Sequence, residues 1–308
     1  PAKILEKQNL VLVDIEKIKN EIEKELKPAI FQLNLKELQN NFGRYTNTKA
    51  NILNLRQLIL QIAVRGMLTK NWRSENSNTK AASYLISNIK AEKKKLIKEG
   101  KIKKQKPLAP ISSDEKAFSL PVNWEWTRLA NYTEIIMGQS PKSESYNEIG
   151  DGLPFYQGKK EFGKVNPISV SVWCNEPSRI AFENDILISV RAPVGDVNIA
   201  NQECAIGRGL AIIRPILIET LNYLFDFLNF QKDRWITKGS FFQSINSSHV
   251  NNMVIPIPPI DEQKEIVSKV KQLMSWCDEL EKKIDKRDVY QDKMMQAVVK
   301  QAFKTDKE

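Results

Sequence analysis

Apolar residues recur at helical spacing at both ends of this chain and as short β-rich runs in between. Val11, Ile15, Ile18 and Ile22 step by 4, 3 and 4, the repeat of one helix face, and Pro28 follows as the expected stop. Ile52, Leu55, Ile59 and Ile62 step by 3, 4 and 3 and run out at Gly66, a natural C-terminal cap. A third helix is expected from about 81 to 99, ending at Gly100. After Pro258-Pro259 the chain turns helical almost to its end. Asp261 is placed to cap that helix, and Glu262 and Glu265 suit the positive end of its dipole. Ile266, Val270, Leu273, Cys277, Leu280 and Ile284 then repeat at 4, 3, 4, 3 and 4, a coiled-coil seam expected to meet a partner helix, as in a dimer. Forty-odd helical residues at about 1.5 Å each predict an arm of roughly 60 Å.

From Leu120 the runs at 135–137, 186–190, 210–213 and 253–257 read as strands punctuated by Gly, Pro, Asn and Ser, with a helix near 218–230. The expected fold class is therefore α+β. Three regions follow: a helical part with a basic linker over 1–106, one mixed α/β domain over 107–259, and a helical arm over 260–308. The segment RQLILQIAVR (56–65) also aligns without gaps on MQAVVKQAFK (295–304), an offset of 239 residues. Gln57 matches Gln296 and Ala63 matches Ala302. Amphipathic helices resemble one another, so chance explains this as readily as a repeat. A true repeat would make the chain one period of a cyclic or two-fold assembly.

Charge sharpens the picture. The net charge is +10, but nine lysines face only Glu92 and Glu99 between 90 and 106, whereas residues 120–259 carry 12 basic and 14 acidic side chains. The excess sits on the linker, where a solvated helix face explains it as well as a nucleic-acid partner does. Three cysteines without CxxC spacing fit a reducing, cytoplasmic setting and argue against a disulfide framework or zinc site. No apolar run is long enough for a membrane span, and the opening residues lack the form of a secretory signal.

Catalytic signatures are missing. His249 is the single histidine and sits in a polar loop, where a structural role is expected. No HExxH, GxxxxGK[ST] or GxGxxG occurs, and the Gly207-Arg208-Gly209 cluster is too short to cradle a phosphate. NPIS and NEPS do not supply a base-methylation motif, and Glu281-Lys282-Lys283 is ordinary charged helix surface rather than a nuclease cluster. Binding chemistry is richer. Gln139, Ser140 and Lys142 follow the first β run; Tyr156, Gln157, Lys159 and Lys160 interleave amide, cation and aromatic; Arg191 lies just past another run. Arg208 sits between glycines that permit close backbone approach, and Lys238, Ser240 and Gln243 complete the set. Glutamine donates to and accepts from a base edge, and cations reach phosphates or guanine. Each arginine taken singly fits a structural salt bridge equally well.

At this point the chain resembles the specificity subunits of type I restriction-modification systems. The resemblance rests on LPVNWEWTRL, GQSP, FYQGKKEF, ENDILISVRAPVGDVNIA, CAIGRGLAII and GSFFQSI, in that order, and on IPIPPIDEQKEIVSKVKQLMSWCDELE. It implies a target recognition domain beside long helices that form an antiparallel coiled-coil spacer. It further implies that the chain does no chemistry, binds double-stranded DNA, and docks methyltransferase subunits that carry S-adenosylmethionine, with restriction subunits as further partners. Typical members carry two recognition domains and two spacer segments; here one of each is found. That implies a half-length subunit that pairs with a second copy and, by two-fold symmetry, a palindromic interrupted target. The competing reading is a coiled-coil scaffold that no longer recognises DNA sequence.

Overall fold

The computed structural model describes residues 2–33, 38, 40–168, 170–232, 236–237, 240–241 and 244–303. It is α+β and divides into two compact units. A helical unit takes residues 1–63, 67–71 and 268–308; a sheet unit takes 64–66 and 72–267.

In the helical unit the helices Ala2–Gln32 and Lys49–Val64 pack with the long Ile260–Ala302 helix. Ion pairs fix the directions: Asp14 meets Lys283 and Glu25 meets Lys269, so the first and last helices run antiparallel. Lys49 with Asp285 (2.7 Å) and Arg56 with Asp278 (2.6 Å) give the same sense for the middle helix. All four expected apolar positions of the first helix are buried. The helix does not stop at Pro28, however; it continues to Gln32. Proline forfeits one helical hydrogen bond, but Ala29 and Ile30 beyond it are buried, and that burial offsets the loss.

The seam residues require a correction. Ile266, Val270, Leu273, Cys277, Leu280 and Ile284 are all at most 3% exposed within this one chain. Each large aliphatic side chain there gains about 1.5–3 kcal/mol from burial, so the stripe is core and is not offered to a second copy. Asp261 is likewise not the cap. The helix already includes Ile260, and Asp261 lies in its first turn with Lys264 at 3.4 Å.

The sheet unit holds a four-stranded antiparallel sheet in the order Thr133–Met137, Leu210–Pro215, Ile186–Ser189, Val197–Ile199. A five-stranded sheet runs Tyr146–Asn147, Trp173–Cys174, Leu153–Tyr156, Cys204–Ile206, Ile180–Ala181, with Leu153–Tyr156 and Cys204–Ile206 parallel. Strands Glu125–Arg128 and Val254–Ile257 pair separately. The core between the sheets collects Tyr156, Leu187, Cys204, Ile206, Leu210 and Ile212. The three cysteines are buried free thiols.

Residues 72–106 join this unit rather than the helical one, because the Ala82–Lys98 helix is tied into it. Leu85 and Ile89 are buried, and the Lys93 ammonium donates to the carbonyls of Ala130 (2.5 Å) and Thr133 (2.9 Å) and to Gln105 (3.0 Å). Burial pushes the Lys93 amine down to about 8. Lys93→Met is expected to cost about 1–3 kcal/mol by leaving two carbonyls unmet. A depressed lysine binds fewer protons in the folded than in the unfolded chain between about pH 8 and 10.5. Wild-type stability due to this group therefore rises across that window, and the deficit of the variant should widen with it. Thermal unfolding at several pH values reads both. The linker beyond is also fastened: the Arg128 guanidinium donates to Ala109 O (2.8 Å), Pro110 O (3.1 Å) and the Glu115 carboxylate (2.9 and 3.0 Å).

The exit from the sheet unit is a buried polar lock. Glu262 accepts from Trp124 Nε1 (2.8 Å) and from Arg73, which also donates to Gly66 O (2.7 Å). Gln263 donates to the Tyr132 hydroxyl (3.1 Å) and Pro258 O (3.0 Å), and Tyr223 OH donates to Pro256 O (2.6 Å). The Pro-Pro-Ile-Asp-Glu-Gln segment is thus a structural joint within this unit.

Candidate nucleic-acid interface

Four backbone segments of the sheet unit converge at one mouth. Gly138 ends the Thr133–Met137 strand and donates to Leu210 O (2.9 Å); a Cβ there would lie 2.1 Å from Gly207 O. Gly207 donates to Tyr156 O (2.8 Å), and a Cβ at Gly209 would lie 2.1 Å from Gln157 O. The glycines of the Gly-Arg-Gly cluster are therefore required by strand-to-strand packing, and they leave Arg208 pointing out between them. Val190 donates to Gly209 O (2.8 Å), which brings Arg191 to the same place; its backbone bridges to Ser244.

The result is a concavity of about 660 Å³ lined by Ser140, Tyr146, Gln157, Arg191, Arg208 and Gly209. It unites Ser140, Gln157, Arg191 and Arg208 from four separate stretches of sequence. The backbone N–H of Arg208 faces Ser140 Oγ at 3.5 Å. Tyr146 donates its hydroxyl to Pro141 O (2.9 Å) and leans on Phe155 with ring centroids 4.9 Å apart. The sequence sets Tyr146 just after Lys142 in the GQSP stretch; its place in the site follows from a strand pairing, Tyr146 opposite Cys174, that no local pattern announces.

Other expected site residues fall elsewhere. Tyr156 is a correction: at 2% exposure it is core, packed with Leu187, Ile206 and Leu210, and burial pushes its phenol up. Lys159 pairs with Asp196 at 2.5 Å, and Lys232 pairs with the same carboxylate, so the charge of Lys159 is spent on holding a loop. Lys160 is exposed beside Glu161 (3.5 Å) and, with Gln157, lines a smaller hollow of about 230 Å³. Gln139 and Lys142 are exposed next to the main concavity but do not line it. Lys238 and Gln243 lie outside the described residues; Ser240 is described only as part of the short Ser240–Phe241 strand. His249 closes a capping box with Asn246, its backbone N–H donating to Asn246 Oδ1 at 3.0 Å.

The loop behind Gln157 is braced on all sides. Gly158 donates to Glu161 (3.1 Å), Gly163 and Asn198 exchange two hydrogen bonds (3.0 and 3.1 Å), and Asn166 donates to Ile199 O (2.8 Å).

The state of the arginines separates structure from site. In the sheet unit Arg65 stacks over Phe118, Arg73 is bound by Glu262, and Arg128 by Glu115. Arg179 donates to Ser178 O, and Arg214 is bound by Asp185 and Glu134. Among the described residues of this unit, Arg191 and Arg208 are exposed and show no hydrogen bond, ion pair or ring contact of the guanidinium, and both line the concavity, whereas Arg65, which also lacks a hydrogen bond or ion pair, lies half-buried over Phe118. A planar five-donor head held out beside an amide and a hydroxyl is a binding arrangement for planar acceptors. No His/Cys/Asp/Glu group suited to a metal occurs among the described residues, and no described helix is long and apolar enough to cross a membrane.

Comparison with known proteins agrees with this architecture. Residues 121–287 match the family described as the type I restriction modification DNA specificity domain. The EcoAI type I restriction enzyme specificity subunit of Escherichia coli is 31% identical over 271 residues, covering 80% of this chain and 45% of that protein. The solved HsdS subunit from Thermoanaerobacter tengcongensis aligns with a TM-score of 0.50 and 37% identity over 58% of this chain and 46% of that one. A chain solved in work on complex assembly and conformational transition of the type I R-M system aligns at 0.55 and 35% identity, over 72% of this chain and 54% of that one. The chain thus spans about half the length of the relatives it matches. By its folded domain, its helical arm and these matches, the chain belongs to the type I restriction-modification DNA specificity family.

Proposed function

We propose that this chain reads one half of a bipartite, interrupted double-stranded DNA target for a type I restriction-modification system. The concavity of Ser140, Gln157, Arg191 and Arg208 is the reading surface, and the helical unit is the spacer and the docking surface for methyltransferase subunits. On this reading the chain works in the cytoplasm and does no chemistry. S-adenosylmethionine belongs to the methyltransferase partners, with restriction subunits joining the assembly. The observation that carries the proposal is the pair of unpartnered arginines at one concavity. A scaffold without DNA recognition has no use for them, whereas every other described arginine of the unit is engaged. Affinity without the partners is expected to be weak, since residues 120–259 carry more acidic than basic side chains and non-specific binding depends on phosphate neutralisation.

We further infer that two copies act together, through the tail rather than the buried seam. At the offset of 239 residues, Val298, Val299 and Phe303 stand where Ile59, Leu60 and Val64 stand. The earlier three are 0%, 6% and 2% exposed; the later three are 53%, 45% and 70% exposed. The same apolar pattern is packed at one end of the chain and bare at the other, which supports a second copy as its cover.

Co-expression with cognate methyltransferase subunits, followed by mapping of methylated bases and mass determination, tests both points. Two copies of the chain per assembly and a two-part, symmetric motif with a fixed gap are expected. An assembly that forms but methylates without sequence preference would end the DNA-reading proposal; a single copy per assembly would end the pairing.

A further inference from the structure

We propose that Arg208 and Gln157 form a base-reading pair that takes a guanine and a neighbouring adenine of the half-site. This rests on the DNA-reading proposal above and adds which bases are read. The backbones are locked at closest approach, since Gly207 and Gly209 on either side of Arg208 both contact Gln157: an added Cβ would lie 3.4 Å from Gln157 Cα and 2.1 Å from Gln157 O. Side chains from two such adjacent segments emerge about 5 Å apart, a separation that flexible side chains close to the roughly 3.4 Å step between successive base pairs. Both are exposed and neither has a side-chain partner among the described residues.

Their chemistry is selective in a way the neighbouring lysines are not. Lys159 and Lys160, the nearest lysines along the chain, stand against Asp196 and Glu161. Both of the free head groups, those of Arg208 and Gln157, can bind a base edge through paired contacts: guanidinium to guanine O6 and N7, carboxamide to adenine N6 and N7. The strands beneath them are buried and the loop behind Gln157 is braced by Glu161 and Asn198, so the pair is presented on a fixed platform, as base discrimination needs.

The assembled methyltransferase complex, with its motif mapped for the wild type, supplies the test. Arg208→Ala and Arg208→Lys should each relax one G·C position of the half-site by roughly 5- to 150-fold, since lysine keeps the charge but not the paired contact. Gln157→Ala should relax the adjacent A·T position by a similar factor. Placing 7-deazaguanine or 7-deazaadenine at those positions in duplexes offered to the unaltered complex should reproduce each loss, independently of how a variant folds. A motif lacking neighbouring G and A overturns the assignment. So does an Arg208→Ala variant that weakens all sites equally and shallows the salt dependence, the signature of a phosphate contact. A wild-type complex with no motif at all instead removes the DNA-reading proposal itself.

Discussion

Glu262→Ala is expected to destabilise the sheet unit by about 3–5 kcal/mol, the cost of leaving a largely buried charge without its partner. The Glu262 carboxylate side chain is 1% exposed and holds the 19% exposed Arg73 together with Trp124 Nε1. Its loss leaves a guanidinium and an indole N–H facing a cavity lined by the joint itself. At about 2–4 °C per kcal/mol for a domain of this size, the unfolding midpoint should fall by roughly 10 °C. Glu262→Gln keeps an acceptor for Trp124 and should lose less. Calorimetric scans of the three proteins decide the matter; a loss under about 1 kcal/mol for the alanine variant would show that Arg73 finds another partner and that the lock is dispensable.

The second large effect is expected at Gly209. An alanine methyl there would have to occupy space 2.1 Å from Gln157 O, and no side-chain rotation relieves a clash with backbone. The two segments must part, at a cost of about 1–3 kcal/mol for overpacking. Because Gln157, Arg208 and Arg191 are positioned by this contact, sequence preference should collapse along with stability. Gly158→Ala is the control: nothing lies within 4 Å of an added Cβ there, so both stability and target choice should stay close to wild type. Unfolding midpoints and motif mapping of the two variants would separate them, and equal behaviour would discredit the packing account.

Much of this was legible in the chain itself. Helix faces are written in local spacing, so Ile15, Ile18, Ile52, Ile59, Leu273 and Leu280 could be placed on buried stripes without coordinates. The strands around Ile136, Leu187, Ile212 and Ile255 also stand out from their apolar content. The Gly-Arg-Gly cluster was readable as a point of close backbone approach. What each glycine approaches was not, because Gln157 is some fifty residues away in sequence.

The errors have a common origin in tertiary pairing. Tyr156 and Gln157 are adjacent and both polar-tipped; the strand ends at Tyr156, which is packed in the core, and Gln157 just past it is exposed. Lys159 looked available as a cation until Asp196, from a distant loop, came beside it. The Val270–Ile284 part of the seam looked available to a second copy because its natural cover, the chain's own first and middle helices, returns from more than two hundred residues away. Pro28 looked like a stop because the burial beyond it cannot be judged from the helix alone.

By itself, then, the sequence determined what is local: the periods of its helices and strands, its lack of catalytic signatures, and the ordered motifs that mark its family. Only the tertiary structure decided which charges are already neutralised and which remain offered to a ligand, since an ion pair or a strand contact between distant residues costs no local pattern and leaves none. The two arginines left over at the concavity are the outcome of that pairing.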